Sequence, residues 1–328
     1  VRDYNYSAIR DNLEQAGICV SVPTIITRAK QQGYYLPKRQ RQKMHDREVI
    51  TSFIGELLQH DASVHKFSPY MDKLHLITTL DDHSRLLLYA ELFERESTWH
   101  HIEAAQAVIR TYGCPRKYYV DQHSIFRFVR GRDQHSVWYD KHKHTDDIAP
   151  QWKQVLRECN IAVTYALSPQ AKGKIERPYR WLQDRLVRKA AREQVTTLAG
   201  MRALLRSLVA DYNHKWVHST TGQIPYRRFT HADRQGMSLF TPLVLQTERQ
   251  QTLSDVFCLR LQRRIDAYRK VSLNNHQIAV PNAVPGRTVD IKIIPHTQDK
   301  RLLLRFWDGD VFLGEQWHPQ SLLSAVRF

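Results

Sequence analysis

The chain has 328 residues, 42% hydrophobic and 25% charged, and its 49 Lys and Arg outnumber 33 Asp and Glu for a formal net charge of +16. That length suits two or three domains with a substantial core, and the positive excess points to a polyanionic partner, most often nucleic acid. Cys19, Cys114, Cys159 and Cys258 show no CxxC spacing, which argues against a zinc knuckle or a disulfide framework and fits a reducing cytosol. No run of about 18 apolar residues offers a membrane span, and no signal peptide is visible. Val1 stands where an initiator Met would, as in a chain with a segment upstream.

In chain order, residues 4–33 read as two short helices. Tyr6, Ile9, Leu13 and Ala16 form one apolar stripe, Gly17 breaks it, and Ser21 caps a second helix with Pro23 in its first turn. The pair reads as a helix-turn-helix-like piece or a plain helical hairpin. Pro37 to Lys43 is a polar, basic linker suited to phosphate contacts or simply to solvation.

Residues 46–230 read as one α/β domain. Leu57 to Val64 is a first strand. Lys73 to Leu80 and Arg85 to Leu92 form a hairpin around Asp81-Asp82-His83-Ser84, a turn in which Asp bonds its own backbone. A helix follows over Thr98 to Tyr112, stopped by Gly113 and Pro115. Lys117 to Asp121 is a central strand, Trp152 to Cys159 a helix, Ile161 to Tyr165 a short strand, and Leu198 to Tyr212 an amphipathic helix. Residues 127–147 are polar and rich in histidine. His135, His142 and His144 match no zinc spacing and have no cysteine close by, so the stretch reads as a mobile insertion.

Ser168 to Lys189 runs from a turn into an amphipathic helix. Ile175, Tyr179, Leu182 and Leu186 make its apolar stripe, with Glu176, Arg180 and Gln183 on the adjoining face. Lys172, Lys174, Arg177, Arg180, Arg185, Arg188 and Lys189 surround Glu176 with positive charge. Pro178 either delays the start of the helix or bends its first turn. Residues 231–252 read as a polar connector. From Leu253 to Phe328 short strands recur, the first over Val256 to Leu261, separated by turn signals at Asn274-Asn275, Pro285-Gly286 and Asp308-Gly309, the pattern of a small β-barrel. Trp307, Phe312 and Trp317 near its turns either fill it or serve an interface.

Two carboxylates end strand-like runs: Asp61 after Leu57-Leu58-Gln59-His60, and Asp121 after Lys117-Tyr118-Tyr119-Val120. With Glu176 they form an Asp, Asp, Glu set spaced by 60 and 55 positions. The segments HDAS (60–63), LDDHSRLLLYAELFERES (80–97), YYVDQHSIFR (118–127) and SPQAKGKIER (168–177) resemble DDE transposases and retroviral-type integrases, bacterial insertion-sequence transposases above all. The resemblance spans about residues 50–230 strongly and both flanks weakly. It implies a ribonuclease H-like mixed sheet with flanking helices, between the small helical segment (1–45) and, after the connector, the small β-barrel (253–328).

The resemblance also implies a chemistry. Water cleaves the element's end and the freed 3′-hydroxyl attacks target DNA, with two Mg²⁺ (or Mn²⁺) ions. Asp61 would bridge both ions, Asp121 hold one and Glu176 the other. Lys172, Lys174, Arg177 and Arg180 would lie along the DNA, and the protein would act as a homo-oligomer on transposon ends and target, in the bacterial cytoplasm at the nucleoid. Two competing readings are a DNA-binding protein on a catalytically inactive transposase scaffold, and a ribonuclease H-like nuclease. Two departures stand out. Gln183 occupies the place, seven residues after the glutamate, where the family often has a basic residue, and the second carboxylate interval is long.

Overall fold

The computed structural model describes residues 5–35, 51–121, 151–166, 173–245 and 250–323, apart from the side chains of 173–177. The basic linker at 37–43 and the histidine-rich insertion at 127–147 lie outside these residues. The chain divides into two compact units, Val1–Arg47 and Glu48–Phe328.

The first unit is a helical hairpin of α1 (Tyr6–Gln15) and α2 (Val22–Gln31). Asn5 caps α1 by accepting from Ser7 N and Ala8 N. Ser21 caps α2 through Thr24 N, as its position before Pro23 predicts.

In the second unit, β1 (Leu58–His65), β2 (Leu74–Asp81) and β3 (Leu87–Phe93) make an antiparallel meander. They are followed by α3 (Thr98–Tyr112), β4 (Lys117–Val120), α4 (Gln151–Glu158) and β5 (Ala162–Tyr165). β4 pairs parallel with β1 and β5 parallel with β4, giving one mixed sheet in the order β3-β2-β1-β4-β5. Three antiparallel strands followed by two parallel ones is the ribonuclease H-like order. After the sheet come α5 (Gly173–Arg192), α6 (Leu198–His214) and α7 (Pro225–Arg234). The last was read as the end of the core and the start of a connector. Pro225 at its first turn is the missed signal.

Both faces of the sheet are covered, so its central strands are buried on two sides. On one face Leu58, Tyr118 and Val120 pack with Ile102, Ala105, Val108 and Ile109 of α3 and Trp152, Val155 and Leu156 of α4. On the other, Leu76, Leu80, Leu87 and Leu92 pack with Tyr179, Leu182 and Leu186 of α5 and Met201, Leu205, Leu208 and Tyr212 of α6. Asn213, near the end of α6, bonds both the N–H and the C=O of Leu87 and so satisfies the edge strand β3. Pro178 neither delays α5 nor stops it. The helix begins at Gly173 and runs through the proline, leaving the Lys174 carbonyl without its helical donor.

The C-terminal part begins with the short α8 (Leu253–Val256), where a strand was expected from Val256. Asp255 accepts from Gln251 N and Thr252 N and turns the chain there. Then β6 (Leu259–Arg264), β9 (Thr288–His296), β10 (Arg301–Asp308) and β11 (Val311–Pro319) form an antiparallel sheet in the order β11-β10-β9-β6, beside the ribbon of β7 (Lys270–Leu273) and β8 (His276–Ala279). Val271, Leu273, Ile278 and Val280 of and beside the ribbon share one core with the sheet. Trp307 is buried against Lys292 and Phe312, whereas Trp317 is 43% exposed beside Arg301. Among the described residues no helix is long and apolar enough to cross a membrane.

Behind β1 runs a buried polar chain. Thr79 Oγ1 meets His60 Nδ1 at 2.9 Å, His60 Nε2 meets His101 Nδ1 at 2.8 Å, and His101 Nε2 meets Glu96 at 2.8 Å. Next to it His100 stacks on Phe93, 3.9 Å between ring centroids. Burial, and then His101, push the His100 imidazole from 6.5 down to about 4. The unfolded chain therefore takes up a proton that the folded protein refuses. The stability that follows is complete above pH 6.5 and is lost as pH falls toward 4, by roughly 3 kcal/mol. His100→Gln is expected to flatten the stability profile between pH 6.5 and pH 4, as read from urea midpoints at a series of pH values.

Candidate active site

Side chains alternate along a strand, so β1 sends Leu58 and His60 into the α3–α4 side and Gln59, Asp61 and Ser63 to the α5 side. The parallel register pairs Leu58 with Tyr118 and Gln59 with Tyr119. Two further steps bring Asp61 level with Asp121, one residue past β4. Both side chains then lie on the α5 face of adjacent strands, about 4.8 Å apart in backbone. Both are partly exposed. Like charges on neighbouring strands repel one another. Such a pair is stabilised by a cation.

Helix α5 crosses this face. Leu182 and Leu186 seat it on the core, and Gln183 Nε2 donates to Ser63 Oγ at 2.8 Å. One turn earlier Tyr179 is buried, with its phenol within range of the Asp61 charge and the Thr78 side chain. Burial first, and then the Asp61 carboxylate, raise this phenol well above its ordinary range, with Asp121 adding to the effect and Thr78 opposing it. The group stays protonated. Glu176 lies three residues before Tyr179, in the first turn of α5.

Asp61 and Asp121 are thus brought together, and the helix that carries Glu176 runs past them. The Glu176 side chain itself is outside the described residues. Among the described residues no group of three His, Cys, Asp or Glu could hold a metal. Of the expected DNA contacts, Lys172 lies outside the described residues. Lys174 and Arg177 lie on α5 with side chains outside them, and Arg180 is exposed on α5. Tyr179, Thr78, Ser63 and Gln183 were not singled out as site residues. Tyr179 had been read as one more member of an apolar stripe, and the pattern does not reveal that its phenol is buried within range of the Asp61 charge.

Asp81 and Asp82 play the structural part expected of them. Asp81 accepts from Gly55 N, Ser84 N and Ser84 Oγ, closing the β2–β3 turn. Asp82 accepts from Thr51 Oγ1, Gln59 Nε2 and Arg85. Both are buried.

No protein-family model matches the chain. Over 325 residues it is 28% identical to the putative transposase y4bF of Sinorhizobium fredii, covering 94% of this chain and 65% of that protein. Over 286 residues it is 24% identical to the transposase for insertion sequence IS1202 of Streptococcus pneumoniae, covering 86% of this chain and 54% of that one. The chain is similar to insertion-sequence transposases. It spans between about half and two thirds of the length of these relatives. Among solved structures it is similar to the HTLV-2 integrase catalytic core domain in complex with magnesium (trimeric form), at 14% identity and a TM-score of 0.40 over 54% of this chain and 97% of that one.

The two kinds of aspartate are separable by stability. Asp82→Ala leaves the buried Arg85, Gln59 and Thr51 donors without their acceptor and is expected to destabilise by about 3 kcal/mol. Asp61→Asn removes one of two neighbouring like charges and is expected to leave the melting temperature unchanged or raise it. Calorimetry of both variants checks this.

Proposed function

We propose that the chain is the catalytic part of a DDE transposase, which cleaves transposon ends and joins the 3′-hydroxyl strands to target DNA. The observation that carries this reading is the strand register that sets Asp61 beside Asp121 under the helix bearing Glu176. Similarity to insertion-sequence transposases along nearly the whole chain supports it, as does the net charge of +16.

The donor set suits Mg²⁺ or Mn²⁺, which prefer oxygen ligands. Asp61 and Asp121 offer carboxylate oxygens on adjacent strands, and Glu176 would complete the set from α5. Bound there, such ions supply a nucleophile at neutral pH and neutralise charge on the attacked phosphate. The protein's own contribution is to keep the two aspartates in register on adjacent strands. The two-sided core fixes all of this in place. Arg180, with Lys172, Lys174 and Arg177, would track the phosphates of the DNA, which positions a duplex without reading its sequence.

Joining two ends at once needs two catalytic units in one assembly, and closed symmetric oligomers are the usual solution. We assign that assembly to a second copy of the chain on DNA. The C-terminal sheet, with Trp317 partly exposed, is a candidate contact. The protein would work in the bacterial cytoplasm at the nucleoid.

Asp61→Asn, Asp121→Asn and Glu176→Gln should each reduce cleavage of a labelled transposon end at least a thousandfold in Mg²⁺, while filter binding to the same DNA stays within about threefold. Normal cleavage by any one of them, or binding lost in all three, would sink the assignment. Binding without cleavage by the wild-type protein would favour an inactive DNA-binding scaffold. In the same filter assay, Lys174→Ala with Arg177→Ala should flatten the slope of log K against log salt by up to about two units.

A further inference from the structure

The seat of α5 on β1 contains one directional contact that the proposed chemistry does not use. Gln183 Nε2 donates to Ser63 Oγ at 2.8 Å, with both residues half-buried. Ser63 lies two residues beyond Asp61 on the same face of β1. Gln183 lies seven residues beyond Glu176, close to two full turns, and so on the same face of α5. Tyr179, between them, has its phenol within range of the Asp61 charge. Helix and strand therefore run side by side in the same direction, four helical residues (about 6 Å) matching two strand residues (about 6.6 Å).

We propose that Gln183 and Ser63 form a positioning clamp that sets how far along β1 the helix carries Glu176, and with it the separation of Glu176 from Asp61 and Asp121. The proposal rests on the functional reading above. The remainder of the seat is largely apolar: Leu182, Leu186 and Ala190 are buried among the side chains of α6 and β2. Burial of apolar surface is non-directional and tolerates small slides of a helix over a sheet. A part-buried amide–hydroxyl bond does not tolerate them. Magnesium requires near-ideal oxygen positions at about 2.0–2.1 Å, so a helix displaced by about 1 Å loses a ligand.

The start of α5 also needs an outside hold, because Pro178 removes the rung of the hydrogen-bond ladder that would close on the Lys174 carbonyl, across the turn that holds Glu176. Gln183 is neutral and bonds the strand, so at this position the side chain acts inward on the protein and not outward on a phosphate.

The test uses the full chain and its Gln183→Ala, Ser63→Ala, doubly substituted and Gln183→Glu forms. Two measurements accompany cleavage: the rise in melting temperature on titration with Mg²⁺ or Mn²⁺, and the affinity for end DNA. Either alanine variant should need about tenfold more Mg²⁺ for half-maximal stabilisation and half-maximal cleavage. Its metal-free melting temperature should stay close to the wild type, with DNA affinity within twofold. The double variant should be no worse than either single one, since one interaction is lost once. Gln183→Glu, which can accept from the Ser63 hydroxyl, should retain most of the wild-type response.

An unchanged Mg²⁺ requirement in Gln183→Ala overturns the clamp, and so do additive effects in the double variant. Weaker DNA binding with an unchanged Mg²⁺ requirement also overturns it and moves Gln183 to the DNA. If the wild-type protein cleaves and the variants match it, the clamp alone fails. If the wild type neither cleaves nor responds to Mg²⁺, the functional reading fails and the clamp with it.

Discussion

Two parallel strands hold together two carboxylates that would drift apart in solution. The parallel pairing of β1 with β4, Leu58 with Tyr118 and Gln59 with Tyr119, brings Asp61 level with Asp121 two residues further on, so the site depends on whatever keeps these strands from sliding. A one-residue slip of β1 would send Asp61 into the α3–α4 core and Leu58 out of it. Cover on both faces makes that prohibitive. The strand that carries the first carboxylate is therefore held from several sides, with apolar packing on one face, α5 on the other, and the Thr79–His60–His101–Glu96 chain tying it to β2 and α3 from behind. Asp81 and Asp82 extend the same constraint to the end of the meander. Their buried carboxylates gather Gly55, Ser84, Thr51, Gln59 and Arg85 around the turn.

The C-terminal sheet is bound to this core through α4. Gln151 exchanges two hydrogen bonds with the Arg260 backbone, and Glu158 meets the Arg260 guanidinium at 2.8 Å. Phe257, Cys258 and Leu259 belong to the same apolar cluster as Trp152 and Leu156. Inside the sheet the buried Asp255 is paired with Arg305 at 3.0 Å and faces Lys292 at 3.7 Å. A carboxylate so placed is a strong constraint on geometry, because losing either partner leaves a buried charge uncompensated. Helix α4 also lies beside β4 and β5, so the strand leading to Asp121 is braced by the C-terminal part. Whatever assembly that sheet serves, its seat is mechanically close to the second carboxylate.

The secondary elements and their order were legible in the residues themselves. The α3 limits, Thr98 to Tyr112, follow from Ser97 as cap and Gly113 as stop, and the run before Asp61 reads as a short buried strand, as β1 is at its start. The turn role of Asp81 and Asp82 was also legible, because Asp before Ser binds its own turn. The Asp, Asp, Glu set could be named from its placement after strand-like runs and its resemblance to a known constellation. Three features misled: α7 was split between core and connector, Val256 was given to a strand, and a delayed start of α5 at Pro178 was one of two readings. Each depends on a local balance that tertiary packing decides.

Sequence could not show convergence. Asp61 and Asp121 are 60 positions apart, and only the parallel register brings them level, since a hydrophobic pattern states which face a residue takes and not which strand lies next to it. Tyr179 and Gln183 show the same limit. On the helical pattern one is an apolar residue and the other a polar one in the wrong place for a phosphate contact. Their roles depend on the distance and direction of α5 relative to β1, which non-local packing alone sets. The chemistry was carried by residue types and order; the geometry that could let them act together came from the pairing of strands distant in the chain.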